Sequence, residues 1–350
     1  MHRRTFLLSA TAGILSGAVG LPRFAQAQDR PFTFTSWGGA LSDAEKEAFI
    51  DPFGKSKGIE VINTSPTETA KIKAMVEAGS VEWDLVDVGG RSVWQGAEEG
   101  FLETLDLSKI PNAAALDQGW VAPNGIATSA GATVMAWSTT AFPDGGPQSW
   151  ADFWDVKRFP GARGLYKYFY YNYEAALLAA GLKPEEVYPF TPEKADMALA
   201  KIKELKPSVS VWWGTGAQPP QLLSSGELAL SSAWSGRVLA AAAEGAPVAH
   251  TYKDGIAWSN WWVIPKGSPH VDLAHEAINF ALALEQQSKL LELKTYGPVL
   301  SAATSGADAE TQKILVMSPD NIKDMLIINE AEARKYMLAY EEKWNQLMLE

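Results

Sequence analysis

The chain has 350 residues with 30 basic and 41 acidic side chains, no cysteine and 14 tryptophans. The acidic balance excludes a nucleic-acid-binding face, which needs clustered positive charge, and the missing cysteine excludes disulfides, thiol chemistry and Cys-ligated metal. The length exceeds one typical core, so two lobes stabilised by burial are the default expectation.

The N-terminus reads as an export signal. Arg3-Arg4-Thr5-Phe6-Leu7 is a twin-arginine start, residues 6–21 are apolar but too short to span a bilayer comfortably, and Ala25-Gln26-Ala27 is a small-residue cleavage site. These predict a twin-arginine signal peptide over 1–27 and a periplasmic destination. An uncleaved anchor is the weaker alternative. Without 1–27 the chain keeps 27 basic against 41 acidic residues, a net charge of about −14. No later run approaches roughly 18 unbroken apolar residues, so the mature chain reads as soluble.

Strand-like and helix-like stretches then alternate, the pattern of an α/β sheet covered by helices. A strand at 32–35 ends in Ser36-Trp37-Gly38-Gly39, and Ser42 with Glu45 three residues on predicts a capping box. A strand at 59–62, a helix at 67–78 and a strand at 85–88 follow, ending in Gly89-Gly90-Arg91. Both glycine pairs stand where strand carboxyl ends meet ligands in open α/β sheets, although plain turn chemistry explains them equally well. Residues 126–137 read as a strand pair, and the turn-rich "WSTTAFPDGGPQSW" marks a crossing into a second lobe. That lobe has helices at 174–180, 192–205, 218–225 and 237–244, with strands at 209–213, 228–234 and 248–252. A strand at 256–264 leads through Pro265-Lys266-Gly267 to an amphipathic helix at 271–284, and the tail from 319 is helical by composition.

The segments "TSWGGALSDAEKEAFIDPFGKSKGIEV", "GAQPPQLLSSGELALSSAWSGR" and "WWVIPKGSPHVDLAHEAINFALA" resemble the extracellular solute-binding proteins of ABC importers that include spermidine/putrescine-binding proteins. The resemblance covers essentially the whole mature chain. It implies a two-lobed α/β fold of the type II-like periplasmic binding kind, closing on a solute between lobe one (28–138 with 265–305) and lobe two (139–264 with 306–350). It also implies a monomer without cofactor or catalytic residues, serving a permease and its ATPase in the inner membrane. Residues matching the family's ligand contacts are Ser36, Trp37, Trp234, Arg237, Trp258, Asn260 and Tyr296. Gly38, Gly39, Gly90, Glu174 and Trp213 complete the candidate set from their positions in the chain.

The departure at Asn260, where the family has an aspartate for a ligand ammonium, argues against a strongly cationic polyamine. Arg237 instead suits a carboxylate through two parallel hydrogen bonds, and Glu174 can take one ammonium. The expected solute is a small amine-containing or zwitterionic molecule, amino-acid-like, betaine-like or a polyamine, of which an amino-acid-like or zwitterionic one satisfies more of these residues, with Trp faces around the cation. Only one member of each pair Trp212-Trp213 and Trp261-Trp262 can face a cleft. Tyr166, Tyr168, Tyr170, Tyr171 and Tyr173 leave a ferric site as an alternative, on a strand packed on both faces. A secreted hydrolase is the remaining alternative. It has little support: His250, His270 and His275 read as surface, and no nucleophile elbow or phosphate loop is present.

Overall fold

The computed structural model describes residues 30–116, 119–293 and 296–350; the predicted signal peptide lies outside the described residues. Among the described residues eleven strands form one sheet: β1 (Phe32–Thr35), β2 (Val61–Thr64), β3 (Leu85–Gly89), β4 (Val121–Ala122), β5 (Gly125–Ser138), β6 (Arg163–Tyr166), β7 (Val209–Trp213), β8 (Leu230–Trp234), β9 (Val248–Val263), β10 (Gly297–Pro298) and β11 (Leu326–Ile327). The order is β2-β1-β3-β9-β5-β8-β6-β7, with β4 and β10 on β5 and β11 on β9.

Strand direction locates the functional region. β1, β2 and β3 are parallel, and β9 runs antiparallel to both β3 and β5, so β5 points the same way as β3. β8 is antiparallel to β5 and parallel to β6, which is parallel to β7. The two parallel groups therefore run toward each other. β3 ends at Gly89 opposite Asn260, itself opposite Ser129, whereas β8 ends at Trp234 opposite Thr133. Four residue steps along β5, from Ser129 to Thr133, separate the two sets of carboxyl ends, about 13 Å at ~3.3 Å per residue. Open α/β sheets bind ligands beyond such ends.

Two large hydrophobic cores lie on this frame. One gathers Phe32, Phe34, Phe49, Phe53, Trp262 and Ile278 around β1–β3; the other gathers Trp150, Phe153, Tyr173, Ile202, Tyr336 and Trp344 around β6 and its helices. β5 and β9 contribute to both: Ile126 and Trp261 pack in the first, Met135 and Ile256 in the second. Arg163 is fully buried beside the second core, where Nε donates to the Phe153 carbonyl at 3.0 Å and Nη1 to the Gly161 carbonyl at 2.7 Å. Nη2 donates to the carbonyls of Phe159 and Asp155.

Several expectations are corrected. Residues 126–137 belong to one long strand, β5, and the predicted strands at 248–252 and 256–264 are a single strand, β9. The Lys253-Asp254-Gly255 stretch between them is absorbed as an irregularity, with Asp254 at φ 55°. The first helix starts at Ala40 after Gly39, and Ser42 Oγ accepts from the Gly38 amide at 2.7 Å rather than capping the helix N-terminus toward Glu45. The helix expected at 271–284 is two, Val271–Ala281 and Leu284–Glu292, and β11 interrupts the C-terminal tail. His275 is buried, its Nε2 accepting from the Asp106 amide at 2.9 Å, and burial pushes His250 down to about 4.

Candidate functional site

Over the converging strand ends, five aromatic rings close a circuit. Tyr166 at the end of β6 lies 4.7 Å from Trp213 at the end of β7, and Trp213 lies 5.4 Å from Trp234 at the end of β8. Trp234 stands 6.3 Å from Trp258 in β9, Trp258 6.4 Å from Tyr171, and Tyr171 5.9 Å from Tyr166. Two glycines make room: a Cβ on Gly131 would lie 2.3 Å from the Trp258 ring, and one on Gly216 2.3 Å from the Trp234 ring. The tyrosine run is not the strand expected from sequence. Only Tyr166 belongs to β6, and the helix Phe169–Ala179 is broken at Tyr170 and Tyr171, the latter at φ 66°. Such left-handed backbone is costly for a tyrosine, and it puts the two rings 4.0 Å apart.

Arg237 sits in the first turn of the helix Ser235–Ala243 that follows β8. Its guanidinium lies against Gly39 of the loop after β1, where a Cβ would come 3.0 Å from Nη1 and 3.4 Å from Nη2. Gly39 holds φ 63°, ψ −152°, so only glycine lets both the backbone path and the guanidinium stand there. Tyr296 is buried next to Arg237, which partly offsets the burial that pushes its phenol up to about 12. Trp37, in the same loop, is one of the exposed large apolar side chains at 42 %.

Of the remaining candidates, Asn260 is buried and donates from Nδ2 to Ser129 Oγ at 3.0 Å. Trp258 donates to Thr133 Oγ1 at 3.2 Å and Trp213 to Ser232 Oγ at 3.1 Å. Trp213 is buried in the circuit, whereas half-buried Trp212 packs on Trp344; Trp261 and Trp262 are both in the first core. Glu174 is fully buried behind the rings, and its Oε1 accepts from the hydroxyls of Tyr188 and Tyr336, both at 2.8 Å. Burial holds its carboxyl at about 7. Its Oε2 is buried without a hydrogen-bond partner among the described residues.

A second acid beside the aromatic circuit is Glu330, which the sequence reading missed. It opens the helix Glu330–Leu349, takes a 2.6 Å hydrogen bond from Tyr170 on Oε2, and packs so closely on Gly90 that a Cβ there would lie 2.4 Å from its carboxyl carbon. Burial pushes it up to about 7. Its Oε1, Trp234 Nε1 and Arg237 Nε are buried without hydrogen-bond partners among the described residues. Burying such groups is costly unless a partner arrives. The site thus offers a guanidinium donor beside the β1 loop, an indole donor in the aromatic circuit, and free carboxyl oxygens of Glu330 and Glu174 on the tyrosine side. Burial pushes Tyr166 up to about 12 and Tyr170 and Tyr171 well above the usual phenol range, so without a bound cation all three are neutral hydroxyls.

Residues 48–315 match the family of bacterial extracellular solute-binding proteins. The chain is 39% identical over 302 residues to the gamma-aminobutyric acid-binding protein of Pseudomonas aeruginosa, covering 85% of each. It superposes with TM-score 0.86 and 38% identity on an ABC transporter substrate-binding protein from Bradyrhizobium japonicum, over 91% of this chain and 99% of the other. It also superposes on a gamma-aminobutyric acid receptor with TM-score 0.81 and 31% identity, over 91% and 97% of the two chains.

Proposed function

Because the chain belongs to the bacterial extracellular solute-binding proteins, we propose that it captures a small zwitterion, an ω-amino acid such as gamma-aminobutyric acid, and hands it to the permease of an ABC importer. Three of the unpartnered polar atoms at the site carry this reading. Arg237 and Trp234 donate to the solute carboxylate, Glu330 Oε1 accepts from its ammonium, and the faces of Trp258 and Tyr171 border the chain between. Separated groups on the protein match separated charges on the solute. Asn260 tunes the floor of the site through Ser129 and adds no charge. The gamma-aminobutyric acid named for two similar proteins supports the same solute class.

In this proposal lobe one is 28–138 with 265–305 and lobe two is 139–264 with 306–350, in keeping with two large cores joined through β5 and β9. Solute favours the closed form because contacts from both lobes reach it only there. The protein works as a periplasmic monomer, exported by the twin-arginine route and cleaved after Ala27, and the permease's ATPase drives release. No covalent step falls on this chain.

The test is a thermal-shift comparison of gamma-aminobutyric acid with butylamine, butyrate, putrescine, spermidine, betaine and ferric ion. A solute at about 100 times its Kd stabilises by about 2.7 kcal/mol. Protection by the zwitterion and loss of it in both truncated analogues is expected. Full protection by putrescine or spermidine would replace the zwitterion with a polyamine.

A further inference from the structure

Beneath the Ser36–Trp37 loop lie two carboxyl groups that solute binding leaves unused. Glu45 comes from the helix Ala40–Glu45 and Asp87 from β3, and both are fully buried. Glu45 accepts from Ser36 Oγ at 2.5 Å and from Trp262 Nε1 at 2.9 Å. Asp87 lies against Glu45, Ser36 and Trp37, and neither of its oxygens finds a well-formed hydrogen bond among the described residues. The groups acting most strongly on the pair are each other, Ser36, Trp37 and Trp262, none of them a cation. From the far side Tyr296 feels the pair together with Arg237.

Two ionised carboxylates in contact, buried without a cation, repel each other and lose hydration. One proton between them removes a charge and supplies the missing donor. We infer that Glu45 and Asp87 share a proton and act as positioning residues for the solute loop, so that capture is strongest while the pair is protonated. The path is short: Glu45 holds the Ser36 hydroxyl, the Ser36 amide donates to Thr64 at 3.0 Å, and the Ser36 carbonyl accepts from the Thr67 amide at 2.9 Å. Ser36 therefore anchors the turn that carries Trp37 and Gly39 to Arg237. Loss of the proton leaves two charges under that anchor. Burial pushes Glu45 up to about 7, and burial and the Glu45 charge hold Asp87 well above the carboxylate range. Because both shifts are upward, the stabilisation is present at low pH and is lost as pH rises through neutrality.

The inference rests on the proposed site only for the choice of solute. Two measurements on the full chain test it. Infrared titration of wild type, Glu45→Gln and Asp87→Asn follows the carbonyl band of a protonated carboxylic acid. The band is expected to persist at neutral pH, to vanish in alkali and to shrink in each variant; its absence at neutral pH overturns the pair. Calorimetric affinity for gamma-aminobutyric acid between about pH 6 and pH 9, where neither solute group changes charge appreciably, is expected to weaken by at least about threefold, within the tenfold per pH unit that one linked proton allows. Asp87→Asn and Glu45→Gln should flatten that profile. The wild-type slope in both variants overturns the coupling, because Glu330 at the solute ammonium titrates over the same range with the opposite sign and is left unchanged by either substitution. If the solute binds at no pH, the proposed function falls while the infrared band still decides the pair. If the variants do not fold, wild-type titration decides alone.

Discussion

Arg237→Ala tests the carboxylate end of the site most directly. The side chain is half-buried, its guanidinium rests on Gly39, and its Nε has no partner among the described residues. Removing it should therefore leave the free protein's stability within about 0.5 kcal/mol, as for substitutions that break no internal contact of consequence. With solute the account differs. A forked pair of charge-assisted hydrogen bonds at ~1.5 kcal/mol each totals ~3 kcal/mol, a loss of more than about a hundredfold in Kd. Arg237→Lys keeps the charge without the fork and should fall between the two. Calorimetry with gamma-aminobutyric acid, paired with urea denaturation of the free proteins, separates binding from folding. A Kd within about threefold of wild type, in a variant of unchanged stability, would refute the clamp.

Arg163→Leu leaves the carbonyls of Phe153 and Gly161 without this donor inside the protein and should cost about 3 kcal/mol or more in urea denaturation. Gly131→Ala puts a methyl 2.3 Å from the Trp258 ring. Overpacking of that kind costs roughly 1–3 kcal/mol and should weaken solute binding by moving the ring, read as a change in tryptophan fluorescence and in Kd. Glu174 and Glu330 are both pushed from the ordinary 4.5 up to about 7, so their stabilisation is complete below about 4.5 and disappears as pH rises to about 7. His250, pushed from 6.5 down to about 4, opposes this, its contribution disappearing as pH falls across that interval. Denaturation midpoints should decline from mildly acidic to mildly alkaline buffer, less steeply in Glu174→Gln; a rise across that range would show the carboxyls to be ionised in the fold.

Local signals explain what the sequence made legible. The helix at 192–205 and the strand at 209–213 are bounded by Pro192 and by apolar periodicity, and both stand where expected. Arg237 and Trp234 were readable because both lie in one short motif at a strand-to-helix junction. Glu330 was not, since its neighbours Gly90 and Tyr170 are far away in sequence, the latter 160 residues. Glu45 looked like helix-cap chemistry, and its burial depends on Trp262, 217 residues on. The strands at 248–252 and 256–264 proved to be one because pairing with β5 resumes on both sides of Lys253-Asp254-Gly255.

The long ribbon of β5 and β9 also has a mechanical side. Its ladder is irregular between Ala127 and Ser129 and again between Thr133 and Met135, immediately either side of the stretch beneath the solute site. Flexing a strand pair where pairing is already interrupted breaks the fewest hydrogen bonds, so bending concentrates at these two points. Floor and flexure then share the same few peptide groups. Under the proposed closure, the dwell time of a solute would depend on the stiffness of this ribbon as well as on the contacts above it, and replacing a floor residue would alter how fast the protein opens along with how tightly it holds.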